Sequence, residues 1–257
     1  ELDGQVDATH CPRHVANAGD MNGDGFADIV VGLPNSTAGD TALLFFGGSA
    51  IDGTTDLEFL GTSGVREFGY SVAGAGDING DGYADVLVGA ADLGGSGSVP
   101  GAVDIFFGGD APGPAAKVAL VSPPDDDSFG QSVALISDLN GDGRADSLVG
   151  SPGYDSSGLA GAGRVAVYLG REDPISDFDF VYETLDGRAH HLGYSVAAAG
   201  DVNGDGYADA IVGEPSQGSG RDTGQAYLYL GGPIPNTDPV LAFNGESLGD
   251  GFGMSVW

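Results

Sequence analysis

Four short acidic segments contain the residues of this 257-residue sequence that are best suited to bind a metal ion. Each has the pattern Asp-x-Asn-Gly-Asp-Gly-x-x-Asp, and they begin at Asp20, Asp77, Asp138 and Asp201. Oxygen-bearing side chains stand at positions 1, 3, 5 and 9, and position 7 can offer its backbone carbonyl. Calcium takes hard oxygen ligands at such alternating positions, and glycines at positions 4 and 6 let the chain curl around the ion. The pattern therefore predicts Ca2+, about four ions per chain.

The same five positions supply the predicted ligands in every loop. In chain order they are Asp20, Asn22, Asp24, Phe26 and Asp28; Asp77, Asn79, Asp81, Tyr83 and Asp85; Asp138, Asn140, Asp142, Arg144 and Asp146; and Asp201, Asn203, Asp205, Tyr207 and Asp209. The residue at position 7 contributes only its backbone oxygen, so the Arg144 side chain is no obstacle to the third site.

Two other structures share parts of this pattern. An EF-hand begins in the same way but needs a bidentate glutamate at position 12 and flanking helices. Here position 12 is valine in all four loops, and each valine lies in a predicted strand. A plain hairpin turn rich in Asp and Gly needs no ion. It would, however, leave three carboxylates crowded into nine residues with nothing to offset their repulsion.

The expected affinity of such loops bears on location. Extracellular calcium modules bind with dissociation constants of roughly 0.1 to 1 mM. At about 2 mM free calcium, each loop would add roughly 0.7 to 1.8 kcal/mol to the free energy of unfolding. Sites this weak stand mostly empty in cytosol, which favours an extracellular or cell-surface setting, or the periplasm.

Each acidic loop belongs to a repeat of roughly 60 residues. The segment FGYSVAGAGD before the second loop recurs as FGQSVALISD and LGYSVAAAGD, with a degraded copy, CPRHVANAGD, before the first. After each loop, short apolar runs predict a second, third and fourth strand. Four antiparallel strands per repeat without a helix favour the blades of an all-β propeller, with the small-residue first strand innermost. A β-sandwich has no reason to repeat one sequence at near-constant spacing.

We therefore predict one β-propeller domain, or part of one, over residues 1–257. The repeats span approximately 11–67, 68–128, 129–191 and 192–251, and a partial fifth repeat covers 252–257. A closed ring of four blades contains only four first strands, so it does not account for a fifth copy. We expect the ring to be closed by missing sequence or by self-association into a homo-oligomer.

The charge of the chain limits its partners. With 38 Asp and Glu against 8 Lys and Arg, the formal net charge is -30. Nucleic acids and anionic lipid surfaces would be repelled, and no apolar run is long enough to predict membrane insertion. The single cysteine, Cys11, cannot form an internal disulfide.

The repeats resemble the FG-GAP repeats that form the propeller of integrin α-subunits. The resemblance rests on the four acidic loops and on Phe68-Gly69, Phe129-Gly130, Phe252-Gly253 and the variant Leu192-Gly193. It implies that calcium lies in the hairpin between the first two strands of a blade and that loops of the opposite, upper face bind a ligand. It thus implies an extracellular recognition or adhesion module for protein or carbohydrate. The first repeat departs from the pattern, with Cys11-Pro12 in place of Phe-Gly.

Five residues of the expected upper-face and inter-blade loops are candidate ligand contacts: Arg66, Tyr154, His190, His191 and Arg221. Ordinary exposed residues are the alternative. An acid–base role for the two histidines is conceivable, but the sequence has no nucleophile elbow or phosphate-cradling loop. We therefore predict no enzymatic activity. The alternative function is a non-catalytic structural or accessory domain of a secreted enzyme that acts on polysaccharides or lipids.

One further cluster, His10, Cys11 and His14, has a spacing found in metal sites. Because Cys11 aligns with Phe68, which is expected in the core, we interpret it as a small buried apolar residue.

Overall fold

The structure is a computed structural model that describes residues 12–34, 40–50, 53–61, 67–91, 101–115, 117–121, 128–156, 160–173, 177–183, 190–215 and 223–257. These residues form sixteen β-strands and no helix. The first sheet contains β1 (His14–Gly19), β2 (Asp28–Leu33), β3 (Thr41–Phe45) and β4 (Leu57–Leu60); the second contains β5 (Phe68–Gly76), β6 (Asp85–Ala90), β7 (Ala102–Phe106) and β8 (Lys117–Val121). The third contains β9 (Ser132–Ile136), β10 (Asp146–Ser151), β11 (Arg164–Tyr168) and β12 (Phe180–Glu183); the fourth contains β13 (Ser195–Gly200), β14 (Asp209–Glu214), β15 (Gln225–Tyr229) and β16 (Leu241–Asn244).

Each sheet is a simple meander. Its four strands are hydrogen-bonded in chain order, and all pairs are antiparallel. The prediction of an all-β fold built of four-stranded antiparallel blades is therefore confirmed. The strands β6 and β10 are buried along their whole length, because neighbouring sheets cover both of their faces.

The first strands of successive sheets lie side by side: β1 contacts β5, β5 contacts β9, and β9 contacts β13. Small residues are needed where these strands approach. A Cβ atom placed on Gly74 would lie 2.7 Å from both Ala18 Cα and Asn17 O. This crowding explains why the first strand of each repeat is rich in Gly and Ala, as propeller blades require near their axis.

The Phe-Gly motif of each sheet packs closely against the preceding sheet. Gly69 has φ of +87°, and a Cβ atom on it would lie 2.4 Å from Thr41 O at the start of β3. The serine two residues later forms the next junction, because Ser71 Oγ donates a hydrogen bond of 2.8 Å to Gly130 O of the following motif. The same bond recurs from Ser132 Oγ to Gly193 O at 2.8 Å. The motif thus serves packing between blades.

Hydrophobic cores fill the spaces between successive sheets. Phe59 stacks on Phe106 between the first and second sheets, with ring centroids 4.1 Å apart. The outer face of the fourth sheet is more open, with Leu241 and Phe243 exposed. Within the described ranges, the four sheets do not close a ring.

Candidate metal centres

The four acidic loops occupy equivalent places in the four sheets. Each follows the first strand, directly in three sheets and after Ser137 in the third, and ends at the first residue of the second strand, so Asp20 follows β1 and Asp28 opens β2. The loops therefore form the hairpins where the resemblance to FG-GAP repeats placed calcium.

The carboxylate at position 1 organises its own loop. Asp20 Oδ1 accepts hydrogen bonds from the backbone N–H groups of Gly23 at 2.7 Å and Asp24 at 3.0 Å, and Oδ2 accepts one from Gly25 at 2.8 Å. Gly23 and Gly25 have φ of +75° and +88°, a conformation that glycine adopts without strain. The other three loops repeat these bonds. In the fourth loop, the Gly206 N–H and its neighbours lower the pKa of Asp201.

Positions 3 and 5 form the exposed part of the loop. Asn22 Oδ1 accepts from the Asp24 N–H at 3.0 Å, and Asn22 Nδ2 donates to Asp24 Oδ2 at 3.0 Å. Asp24 Oδ1 in turn accepts from the Phe26 N–H at 2.9 Å. Asp24 is solvent-exposed and Asn22 is partly exposed, so their oxygen atoms are accessible from outside the protein.

The aspartate at position 9 is buried and links two segments. Asp28 Oδ2 accepts from the Met21 N–H of its own loop, and Oδ1 accepts from the Gly47 N–H after β3, both at 2.8 Å. All four equivalents are at most 1% exposed, and all four make the same pair of bonds. From its sequence pattern this residue is expected only to bind the ion. The glycine that recurs after every third strand was the available signal for its second partner.

Burial also changes the acidity of position 9. Removal from water, reinforced by Asp81 and Asp77, raises the pKa of Asp85 to about 7, against the two N–H groups that favour the ionised form. The same causes raise the pKa of Asp146 to about 6 and also raise that of Asp28. Burial thus disfavours the ionised form of these carboxylates, and a nearby cation would favour it.

The donor set fits calcium, which prefers oxygen ligands. Every candidate side chain in the loops is a carboxylate or a carboxamide. Among the described residues, no group of three or more His, Cys, Asp or Glu side chains is gathered into a metal-holding arrangement. The loop carboxylates instead accept hydrogen bonds from backbone N–H groups, those of their own loop and, at position 9, also that of the segment after the third strand. Asp20 Oδ1 accepts two N–H groups, whereas Asp20 Oδ2 and the side-chain oxygens of Asp24 and Asp28 accept one bond each and keep a second lone pair. The residues are therefore compatible with an ion at this place.

Three of the five candidate ligand contacts lie within the described residues. The Arg164 guanidinium lies 4.0 Å from the centroid of the Tyr154 ring. His190 is 6% exposed, with Nδ1 3.8 Å from Oε1 of the buried Glu214. His191 Nδ1 lies 3.0 Å from Pro152 O, so both histidines contact protein groups. Arg66 and Arg221 lie outside the described residues.

The proposed histidine and cysteine cluster is only partly within the structure. His10 and Cys11 lie outside the described residues. His14 opens β1, and its ring centroid is 6.2 Å from that of Tyr70. Burial and the neighbouring Arg13 lower the pKa of His14.

The structure also contains a pocket of about 300 Å³ that the sequence analysis missed. It lies between the starts of the first strands and includes the residue that follows Phe-Gly in three repeats: Tyr70, Gln131 and Met254. Arg13 also lines it, with its guanidinium 3.8 Å from the Tyr70 ring centroid. The signal in the sequence was the variable residue inside an otherwise regular motif.

Four antiparallel sheets in chain order, each with the same acidic hairpin, define a repeat protein of the β-propeller class. The pattern of the FG-GAP repeat matches residues 13–44, 68–106, 129–168 and 192–229. The chain belongs to the FG-GAP repeat family, in its integrin α-like branch.

Individual relatives agree with this assignment. The chain is 32% identical to integrin alpha-V of Gallus gallus over 240 residues, which cover 88% of this chain and 22% of that protein. It is 30% identical to integrin alpha-5 of Xenopus laevis over 239 residues, 88% of this chain and 21% of that protein. A phosphatidylinositol-glycan-specific phospholipase D of Bos taurus is 32% identical over 167 residues, 61% of this chain and 20% of that protein. The chain thus spans about a fifth of the length of these relatives.

Nowhere in the described ranges does the chain form a helix with the length and apolarity needed to cross a bilayer.

Proposed function

We propose that this chain is a calcium-stabilised, extracellular recognition module of the integrin α-like adhesion type. The observation that carries the proposal is the placement of one oxygen-rich donor set in the equivalent hairpin of all four sheets. The integrin relatives support the adhesion role and a cell-surface or extracellular location. The periplasm remains the second location within this proposal.

In this proposal, calcium when bound supplies positive charge that offsets the carboxylates of each loop. The residues at positions 1, 3, 5 and 9 contribute side-chain oxygens, and position 7 contributes its carbonyl. The buried aspartate at position 9 connects the hairpin to the segment after the third strand, as Asp28 does with Gly47. A loop that is ordered around an ion therefore also holds the segment after the third strand in place.

The ligand-binding surface in this proposal is the upper face, opposite the acidic hairpins. Protein is the favoured ligand because the integrin relatives are the more extensive matches; carbohydrate is the second class. Arg66, Tyr154, His190, His191 and Arg221 remain the candidate contacts. The proposed blades follow the repeat boundaries given above, with further blades, supplied by additional sequence or by a second copy of the chain, completing the ring.

An alternative is favoured by one comparison. The similarity to the phosphatidylinositol-glycan-specific phospholipase D covers 61% of this chain. It supports a role as the non-catalytic accessory domain of a secreted enzyme that acts on lipids or polysaccharides. The proposal in either form assigns no catalysis to this chain.

Calcium titration of the purified chain tests the proposal. We expect heat of binding for about four sites with dissociation constants of roughly 0.1 to 1 mM, and a clear drop in melting temperature in excess EDTA. Glycan and protein arrays in calcium then separate a binder from a scaffold. No binding heat at millimolar calcium, together with an unchanged melt in EDTA, would refute the role of calcium.

A further inference from the structure

Neighbouring acidic loops touch through one repeated contact. The side chain at position 7 of a loop lies over the glycine at position 4 of the preceding loop. A Cβ atom on Gly23 would lie 2.6 Å from Tyr83 Cε1, and one on Gly141 would lie 2.4 Å from Tyr207 Cε1. At the middle junction, a Cβ atom on Gly80 would lie 2.8 Å from Arg144 Nε. The glycine is therefore required for packing as well as for its positive φ.

Backbone hydrogen bonds join the same loops. The N–H at position 8 of one loop donates to the carbonyl at position 1 of the preceding loop: Ala84 to Asp20 at 3.0 Å, Ala145 to Asp77 at 2.8 Å, and Ala208 to Asp138 at 2.8 Å. The acceptor residue is the one whose carboxylate organises its loop. Each junction therefore fixes the first ligand residue of one loop to the segment beside the position-7 carbonyl of the next.

Two residues lack the contact. A Cβ atom on Gly204, at position 4 of the fourth loop, would have nothing within 4 Å. Phe26, at position 7 of the first loop, is 46% exposed, and among the described residues no acidic loop precedes it. Within the part of the chain that the structure describes, Gly204 and Phe26 therefore serve as controls: a position-4 glycine without a covering side chain and a position-7 ring without a preceding loop.

We propose that the position-7 side chain is a positioning residue for the calcium site of the preceding blade, so that adjacent sites are energetically coupled. This inference rests on the proposed calcium binding. The Tyr83 ring restricts the backbone at Gly23 and Asp24, which lowers the entropy lost when that loop is ordered around an ion. Because the Tyr83 carbonyl is a proposed ligand of the second loop, an ion in that loop also restricts the motion of the Tyr83 ring. By thermodynamic linkage, an ion at the first site and an ion at the second site then raise each other's affinity by the same factor.

Arg144 should act differently from the two tyrosines. Its Nε donates to Asn79 O at 3.4 Å, so a positive charge lies beside the second loop. That charge opposes calcium at the same place. We therefore expect the second site to be weaker than the first, and Arg144→Tyr to tighten it.

The experiment uses the full chain with two loops silenced. Asp142→Ala and Asp205→Ala remove exposed ligands from the third and fourth loops, and calcium binding to the first two is followed by calorimetry and by the amide resonances of Gly25 and Gly82. Tyr83→Ala is expected to weaken the first site about 5-fold or more and to leave the second within about twofold when the first is empty. Tyr83→Phe, which keeps the ring, should retain the affinity. Phe26→Ala is the matched control and should change neither site.

The outcomes separate this inference from the proposal on which it rests. No calcium response in the unsubstituted chain would refute calcium binding altogether. A normal response with no selective loss at the first site in Tyr83→Ala, or an equal loss in Phe26→Ala, would overturn the coupling while leaving calcium binding intact. An EDTA melt of each variant identifies those that lose affinity only because the fold is weakened.

Discussion

The Tyr182 ring stacks on the Tyr229 ring across the boundary between the third and fourth sheets, with centroids 3.9 Å apart and planes inclined by 20°. Phe59 and Phe106 occupy the equivalent places between the first and second sheets. Both tyrosines are fully buried, and neither hydroxyl has a hydrogen-bond partner among the described residues. Burial raises the pKa of both, so the phenols stay neutral.

We therefore expect Tyr182→Phe and Tyr229→Phe to leave stability unchanged or to increase it by about 1 kcal/mol, because an apolar ring replaces an unsatisfied buried hydroxyl. Tyr182→Ala should cost about 3 to 5 kcal/mol through the cavity that it creates. Urea unfolding provides the measurement. A loss above about 1 kcal/mol in the phenylalanine variants would mean that the hydroxyls do form hydrogen bonds.

Replacement by alanine should affect stability very differently at two aspartates of one loop. Asp146 is buried and accepts N–H groups from Leu139 at 2.6 Å and Gly170 at 2.8 Å, whereas Asp142 is exposed. In EDTA, Asp146→Ala should lower the free energy of unfolding by about 3 kcal/mol or more, since two buried donors lose their partner. Asp142→Ala should change it by less than about 1 kcal/mol. Equal losses in the two variants would show that position 9 has no special structural role.

The metal-free chain should become more stable as the pH falls from about 8 to 5. Asp85 and Asp146 have folded-state pKa values of about 7 and about 6, above the ordinary 3.8. The folded state therefore binds more protons than the unfolded state, and stability is lost as the pH rises through this window. The change is on the order of a few kcal/mol. Thermal melts in EDTA across this range test it, and a melting temperature that rises with pH would contradict it.

The same melts in millimolar calcium form the second arm. Calcium competes with protons for these carboxylates, so the gain in stability at low pH should shrink or reverse. Identical pH profiles with and without calcium would show that the ion is not held by these groups.

The Phe-Gly motif should be intolerant of the smallest substitution. Gly69→Ala places a methyl group 2.4 Å from Thr41 O at φ of +87°, and we expect a loss of about 2 kcal/mol or more from strain and steric overlap. Gly113→Ala is the matched control because its Cβ atom would meet nothing within 4 Å. Urea unfolding compares the two. A Gly69→Ala protein as stable as the control would rule out close packing at this junction.

Most of the fold could be predicted from sequence because its signals are local. Apolar runs, glycines and the repeated acidic pattern lie within a few residues of one another, and they indicated four strands per repeat and the place of each hairpin. The residues of the candidate metal loops could be predicted for the same reason. Nine consecutive residues contain every oxygen donor.

The relations between repeats depend on packing across long distances in the chain. Asp28 finds its second donor at Gly47, and Tyr83 reaches back to Gly23 of the preceding blade. The burial of His190 beside Glu214 arises in the same way. Periodicity reports which residues are equivalent, but contacts between side chains of neighbouring sheets follow from how those sheets stack. The contacts between neighbouring loops are therefore decided by the packing of the blades, and the sequence alone does not indicate them.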